Sequence, residues 1–354
     1  MPEPSDGSNR GRALNGVALS LAAAATFGVL APAAKGALVH VGPIRGAALA
    51  YLAAGCVALL ALLFGKAAGL PRRGRSVTRS DTPRLAGMTL LGGVVGPALF
   101  FAGVERLVAH HAAVLQHLEF GLTVIAAVLI LGERPGRRGV VGLALVGAGV
   151  LVLSGIDVDP AAVAGSSWVG GMLLAGACFA WAGDNTLARG ASELDPLLVV
   201  SIKGFAAGLV LSLFSAGSPW PQDAGGWGLV VLAGGVGVGV SLVLELLALR
   251  HIGAALNAGL FATGPAFGFV WSLVFLGERS TSSSWVALAL CVIGAVALSI
   301  DRHDHEHLHE SIRHTHRHHH LDGHHTHSHD PGFDPSTEHV HEHEHEPLRH
   351  SHAH

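Results

Sequence analysis

LGERPGRRGVVGLALVGAGVLVLS (131–154) and LGERSTSSSWVALALCVIGAVALS (276–299) open on the same four letters and close on the same two, 145 residues apart. In each, a short polar loop separates LGER from an apolar run long enough for a helix. A second correspondence lies near the start of each half. Thr26-Phe27-Gly28 resembles Ala180-Trp181-Ala182 at a shift of 154, and Lys35 and Arg189 close the two runs at that same shift. The chain therefore reads as one helical unit written twice.

A helix needs roughly 20 apolar residues to cross a bilayer core, and runs near that length fill the chain up to residue 300. The predicted spans are 14–34, 46–64, 85–104, 112–131, 139–156, 168–188, 197–216, 228–249, 252–276 and 285–300. The expected fold is all-α and integral to the membrane: ten transmembrane helices as two five-helix repeats. An odd number of spans per copy forces the copies into opposite orientations. The loop charges agree, because the first LGER is followed by arginines and the second by serine and threonine. With the N-terminus inside, internal segments before residue 301 hold 13 basic residues and external loops hold Lys35, Arg45, Arg106 and Arg279. That asymmetry places both termini in the cytoplasm of a cell (plasma or inner) membrane protein.

Composition excludes the soluble alternative. Half of the 354 residues are apolar and 13% are charged, against about 25% in soluble domains, so a soluble bundle would lack a charged face to show water. From residue 301 onward the chain holds 20 of its 25 histidines, 11 acids and 4 arginines, net −7 with histidine neutral, which leaves the body at +4. Cys56, Cys178 and Cys291 sit in apolar runs without CxxC spacing and read as small buried hydrophobes. No GxxxxGK[ST] phosphate loop is present, and GGVGVG (234–239) follows no strand, so it reads as a surface for close helix approach.

Ten spans, a five-plus-five repeat and a Gly-Glu pair ending the fourth and ninth helices resemble the EamA-type transporters of the drug/metabolite transporter superfamily. The resemblance covers roughly residues 12–300. It divides the chain into a cytoplasmic segment (1–13), a first repeat (14–156), a linker (157–167), a second repeat (168–300) and a tail (301–354). It implies transport of a small organic solute without ATP, enzymatic activity or a required cofactor, at a midplane site between inverted halves. The expected partners are the lipid bilayer and the solute, with a homodimer as the expected assembly and no nucleic acid.

Charges inside spans are costly and therefore functional candidates. Glu119 lies near the middle of the fourth span. His117 precedes it by two residues, and His110, seven residues before His117, shares a helix face with it. Lys203 and Asp184 lie at comparable depth and are expected either to pair or, for Lys203, to snorkel toward the inner surface. Glu245 is expected to reach headgroups near Arg250. Phe27 and Trp181 occupy matched positions and could wall a cavity. Glu133 and Glu278 end helices at repeat-related positions, with a gate or helix-stop role. Pro32, Pro97 and Pro265 interrupt helical hydrogen bonding.

The tail alternates histidine with other residues. His303, His305, His307 and His309 form one cluster and His314, His316 and His318 a second. His325, His327 and His329 form a third, and His339, His341, His343 and His345 a fourth. In an extended chain, i and i+2 fall on one side, and imidazole suits Zn, Ni, Co or Cu. With few apolar residues the tail is expected to be disordered. Three functions remain open on the sequence: an organic-solute transporter with a metal-buffering tail; a divalent-metal transporter loaded by the tail, with His110, His117 and Glu119 lining the route; and a membrane metal sensor or store.

Overall fold

The computed structural model describes residues 6–70, 74–131, 136–156, 166–189, 191, 193–299, 304–309, 313–318, 339–344 and 348–353. The first half comprises α1 (Asp6–Gly28), α2 (Leu30–Ala37), α3 (Pro43–Ala67), α4 (Thr82–Met88), α5 (Gly96–Arg106), α6 (Ala109–Leu115), α7 (Leu118–Leu131) and α8 (Arg137–Ile156). The second comprises α9 (Ser166–Arg189), α10 (Pro196–Phe214), α11 (Ala224–Val231), α12 (Ser241–Phe261), α13 (Gly264–Leu276) and α14 (Ser282–Ser299). π-Helical stretches at Thr89–Val95 and Leu232–Val240 join α4 to α5 and α11 to α12. Among the described residues, six helical segments are long and apolar enough to cross a membrane: Leu14–Ala37, Pro43–Ala67, Arg79–Arg106, Pro196–Phe214, Ala224–Ala248 and Gly259–Leu276. Ser282–Leu298 is shorter and equally apolar in character.

Side-chain size is sorted from inside to outside in the manner of a membrane protein. The buried positions are dominated by alanine, from Ala23 and Ala24 through Ala47, Ala48 and Ala54 to Ala287 and Ala295. Leu60, Leu63, Phe64, Leu129, Leu213, Phe214 and Phe275 face outward. In water so much exposed apolar surface would drive association; against lipid it costs nothing, and small residues inside let helices approach closely. Cys178 and Cys291 are buried as expected, but Cys56 is exposed on the outer face of α3, and all three thiols are free.

Corresponding helices of the two halves pack against each other in opposite directions. On α3 and α10, Gly55 meets Gly204, Leu52 meets Gly208 and Arg45 reaches Ser215, so one number rises as the other falls. On α8 and α14, Gly142 meets Gly294 and Leu298, whereas Gly149 meets Ala287 and Cys291. Antiparallel contact between equivalent helices is what the sequence expectation of an odd number of spans in each copy requires.

α12 differs from expectation in being unbroken where the sequence divides the eighth span from the ninth. Its contacts with α1 show that it nevertheless turns back on itself. The Ser241 hydroxyl donates to the Ala23 carbonyl and the Ser20 hydroxyl to the Asn257 carbonyl, while His251 and Ile252 lie at Gly16. In a straight helix, Ser241 and Asn257 would stand about 24 Å apart at 1.5 Å per residue. Their partners on α1 are less than one turn apart, so the chain reverses near residues 250–252. α13 then runs alongside α1, its Trp271 indole donating to the Ala25 carbonyl at 3.0 Å. Pro32 and Pro265 fall in the first turn of a helix that follows a break, where a missing N–H leaves no bond unmade, and Pro97 follows directly on the π stretch Thr89–Val95.

Four short segments of the tail are described. β1 (Asp304–His309) pairs antiparallel with β4 (Leu348–Ala353), and β2 (Arg313–His318) with β3 (His339–Glu344). Strict alternation along each segment is the pattern of an extended strand, and it places His314 opposite His343 and His316 opposite His341. His303, His325, His327, His329, His345 and Glu133 lie outside the described residues, as do linker residues 157–165.

Candidate functional site

Where the halves meet, six apolar segments (α3, the π stretch Thr89–Val95, α7, α9, α10 and α12) bring polar groups together. Lys203 on α10 forms an ion pair with Asp184 on α9, the two side chains 18% and 10% exposed. The pair is therefore intramolecular, and the snorkelling alternative for Lys203 does not hold. One residue along α9, the Asn185 amide donates to Glu119 Oε1 of α7 at 2.9 Å. The Tyr51 hydroxyl of α3 donates to the Gly92 carbonyl at 2.6 Å, with the Trp181 indole in hydrogen-bonding range of the same hydroxyl. Glu245 on α12 is half-buried and within electrostatic range of Glu119, facing inward instead of reaching for headgroups.

The π-helical stretch Thr89–Val95 explains how this cluster fits. A π turn widens the helix by one residue and leaves carbonyls outside the regular ladder; the Gly92 carbonyl is the one that Tyr51 takes. Gly92 also lies directly over the ion pair, and a Cβ there would collide with Asp184 and Lys203. Gly93 stands against Ala207 and Lys203, and Gly96 against Trp181. The second π stretch repeats the device at Gly234, where a Cβ would enter the backbone of Ala50 on α3.

Several expected site residues lie elsewhere. His110 and His117 do not share a helix face, because the helix breaks between α6 and α7 at Gln116 and His117. His117 is fully buried and its Nδ1 meets the Val114 carbonyl at 3.0 Å. His110 belongs to a separate cluster, its Nδ1 being 2.7 Å from Glu278 Oε2. Phe27 packs on Phe261 and Trp181 on Phe100, with centroids 5.3 and 5.4 Å apart, both as flanks of the main core. A cavity of about 380 Å³ lies away from them, at the loop end of α3 and α10 between Leu62, Lys66, Ser76 and Asp195. Among the described residues, no group of three or more His, Cys, Asp or Glu side chains is gathered to hold a metal ion.

The helix ends are closed by charged residues from the other elements. Glu278 accepts from the backbone N–H of Ala109 at 2.6 Å and of His110 at 2.9 Å, so the second LGER glutamate caps α6 of the opposite half. Burial alone would raise its carboxyl, but the His110 side chain and those two N–H donors outweigh it and hold it below the usual carboxylate range. Lys35 donates to the Val104 and Glu105 carbonyls at the end of α5, and Arg45 to Ser215 and Ser218 beyond α10, 4.2 Å over the Trp220 ring. At the opposite end, Arg75 forms a two-pronged pair with Asp81 at 2.7 and 2.8 Å and bonds through its backbone to Glu193 and Asp195.

Residues 14–155 and 168–300 each match the family model of EamA-like transporters. The chain belongs to this family. The two matches divide the EamA protein at the same place as the antiparallel helix pairs. A curated relative from Methanothermobacter thermautotrophicus, described as an uncharacterized transporter, is 24% identical over 215 residues. That alignment takes in 58% of this chain and spans 62% of the relative's length. A protein of known crystal structure superposes with a TM-score of 0.58 at 21% identity, covering 80% of this chain and 98% of that one, which shows a shared fold. EamA proteins are membrane transporters, so the outward-facing leucines and phenylalanines contact lipid.

Proposed function

We propose that the protein is a secondary transporter of a small organic solute, with ten spans arranged as two inverted five-helix halves and a solute site at Glu119, Asp184 and Lys203. The observation that carries this reading is the charged cluster enclosed by apolar helices from both halves. Charges at that depth are destabilising unless they have a use, and inverted halves offer two exchangeable ways of exposing what lies between them. Alternating access then follows from rocking one half against the other. The histidine tail binds divalent metal on the cytoplasmic side and buffers or regulates. Uptake into proteoliposomes with and without residues 301–354, over a panel of amino acids, amines, Zn²⁺, Ni²⁺ and Co²⁺, tests the reading. Organic-solute uptake that survives tail removal supports it; uptake of metal alone, abolished with the tail, replaces it.

A metal-transporting reading draws on the twenty tail histidines. The body speaks against it: His110, His117 and Glu119 do not converge, and the cation partner of Asp184 is already a lysine.

A further inference from the structure

We infer that the solute is a cation carrying N–H donors, a protonated amine, anchored by the Glu119 carboxylate. The inference rests on the transporter reading and adds the sign and hydrogen-bonding character of the solute. Charge is the first argument. Glu119 lies within electrostatic range of Asp184 and of Glu245, and the basic side chain acting on Glu119 and Asp184 among the described residues is Lys203. Lys203 is held by Asp184, so one cation, already paired, faces more than one carboxylate. Uncompensated carboxylates among apolar helices are costly, and a positive ligand removes that cost.

The unmet hydrogen-bonding atoms give the second, independent argument. Asp184 Oδ1 is buried without a partner, in a residue 7% exposed. Thr123 Oγ1, four residues after Glu119 and on the same face of α7, is buried and unpartnered as well. The Gln116 amide nitrogen, in the turn before α7, is an unmet donor, and the Thr123 hydroxyl can donate as well as accept. The group therefore offers acceptors in excess, and an ammonium offers three donors and no acceptor. An anionic solute would add to the negative charge. A zwitterion would need a free cation for its carboxylate, and Lys203 is engaged.

The test uses the full chain in proteoliposomes with tyramine, benzylamine and putrescine, beside N-acetyltyramine, N-acetylbenzylamine and 4-hydroxyphenylacetate. Amine uptake above that of empty liposomes is expected, with a loss on the order of tenfold or more on acetylation, the scale of one charge-assisted hydrogen bond. Glu119→Gln is expected to lose amine uptake to a similar extent while keeping the wild-type melting temperature. If that variant does not fold, Asn185→Ala and Glu245→Gln take its place, and each should weaken amine uptake severalfold. Undiminished amine uptake in the folded variants overturns the inference. So does uptake of a neutral or anionic solute with every amine inert, a result that leaves the transporter reading standing. Transport of nothing in either panel overturns both.

Discussion

Lys203 and Asp184 are most informative when removed singly. Lys203→Met leaves a buried carboxylate without its cation, and breaking such a pair costs about 3–5 kcal/mol. Lys203→Met combined with Asp184→Asn removes both charges and should regain most of that loss, as read from detergent-solubilised unfolding curves of the two variants. A single variant as stable as the double one would show that the pair adds nothing. Glu278 makes a prediction in pH. Because its carboxyl is held below the ordinary range, its stabilisation is complete above the unfolded-state value of about 4.3. It fades as the pH falls through the lower folded value. Glu278→Gln should therefore cost about 1–3 kcal/mol at neutral pH, and the gap in melting temperature from wild type should close in acid. The sequence announces Glu119, Asp184 and Lys203 because a charge in an apolar run is conspicuous. It does not announce Tyr51, although that is the one tyrosine in the chain, since a lone aromatic in a helix has many uses. Nor does it separate His110 from His117: a spacing of seven implies a shared face only if the helix continues, and it breaks at Gln116.

Between elements, glycine determines how closely the halves approach. Gly204 on α10 lies against the backbone of Gly55 and the Tyr51 carbonyl of α3. Gly204→Val should force the two helices apart at a cost of about 1–3 kcal/mol, measurable as a lowered melting temperature. Gly92→Ala should have a sharper effect on transport than on folding, because its added methyl meets Asp184 and Lys203 instead of inert packing. Equal loss of melting temperature and uptake in Gly92→Ala and in Gly93→Ala would contradict that distinction. Gly-Gly pairs are legible in the sequence as places of close approach. That they lie in π turns is not, because helix register depends on what the neighbouring helix demands of each carbonyl. The place of the reversal within α12 is legible, because Arg250 and His251 interrupt the apolar run there; its form is not, because helical hydrogen bonding persists through the turn.

Over the whole molecule, the repeated LGER leads to the expectation of two oppositely oriented copies, and the antiparallel contacts of α3 with α10 and of α8 with α14 agree with it. Sidedness is testable directly. In a background with Cys56, Cys178 and Cys291 replaced by alanine, Arg134→Cys should react with a membrane-impermeant maleimide from the cytoplasmic side and Arg279→Cys from the opposite one. Labelling of both from one side would remove the inverted arrangement. The tail was legible only as chemistry. Its alternation shows which residues share a side, whereas the pairing of β1 with β4 and β2 with β3 depends on register between distant segments. The contact of Gly55 with Gly204, near the middle of two antiparallel helices, has a mechanical corollary. Backbone touching backbone leaves no side chain to compress, so the crossing acts as a fulcrum. As on a seesaw, a pivot of α3 against α10 at that crossing would part their ends beside Arg45 while closing those beside Lys66 and Leu197.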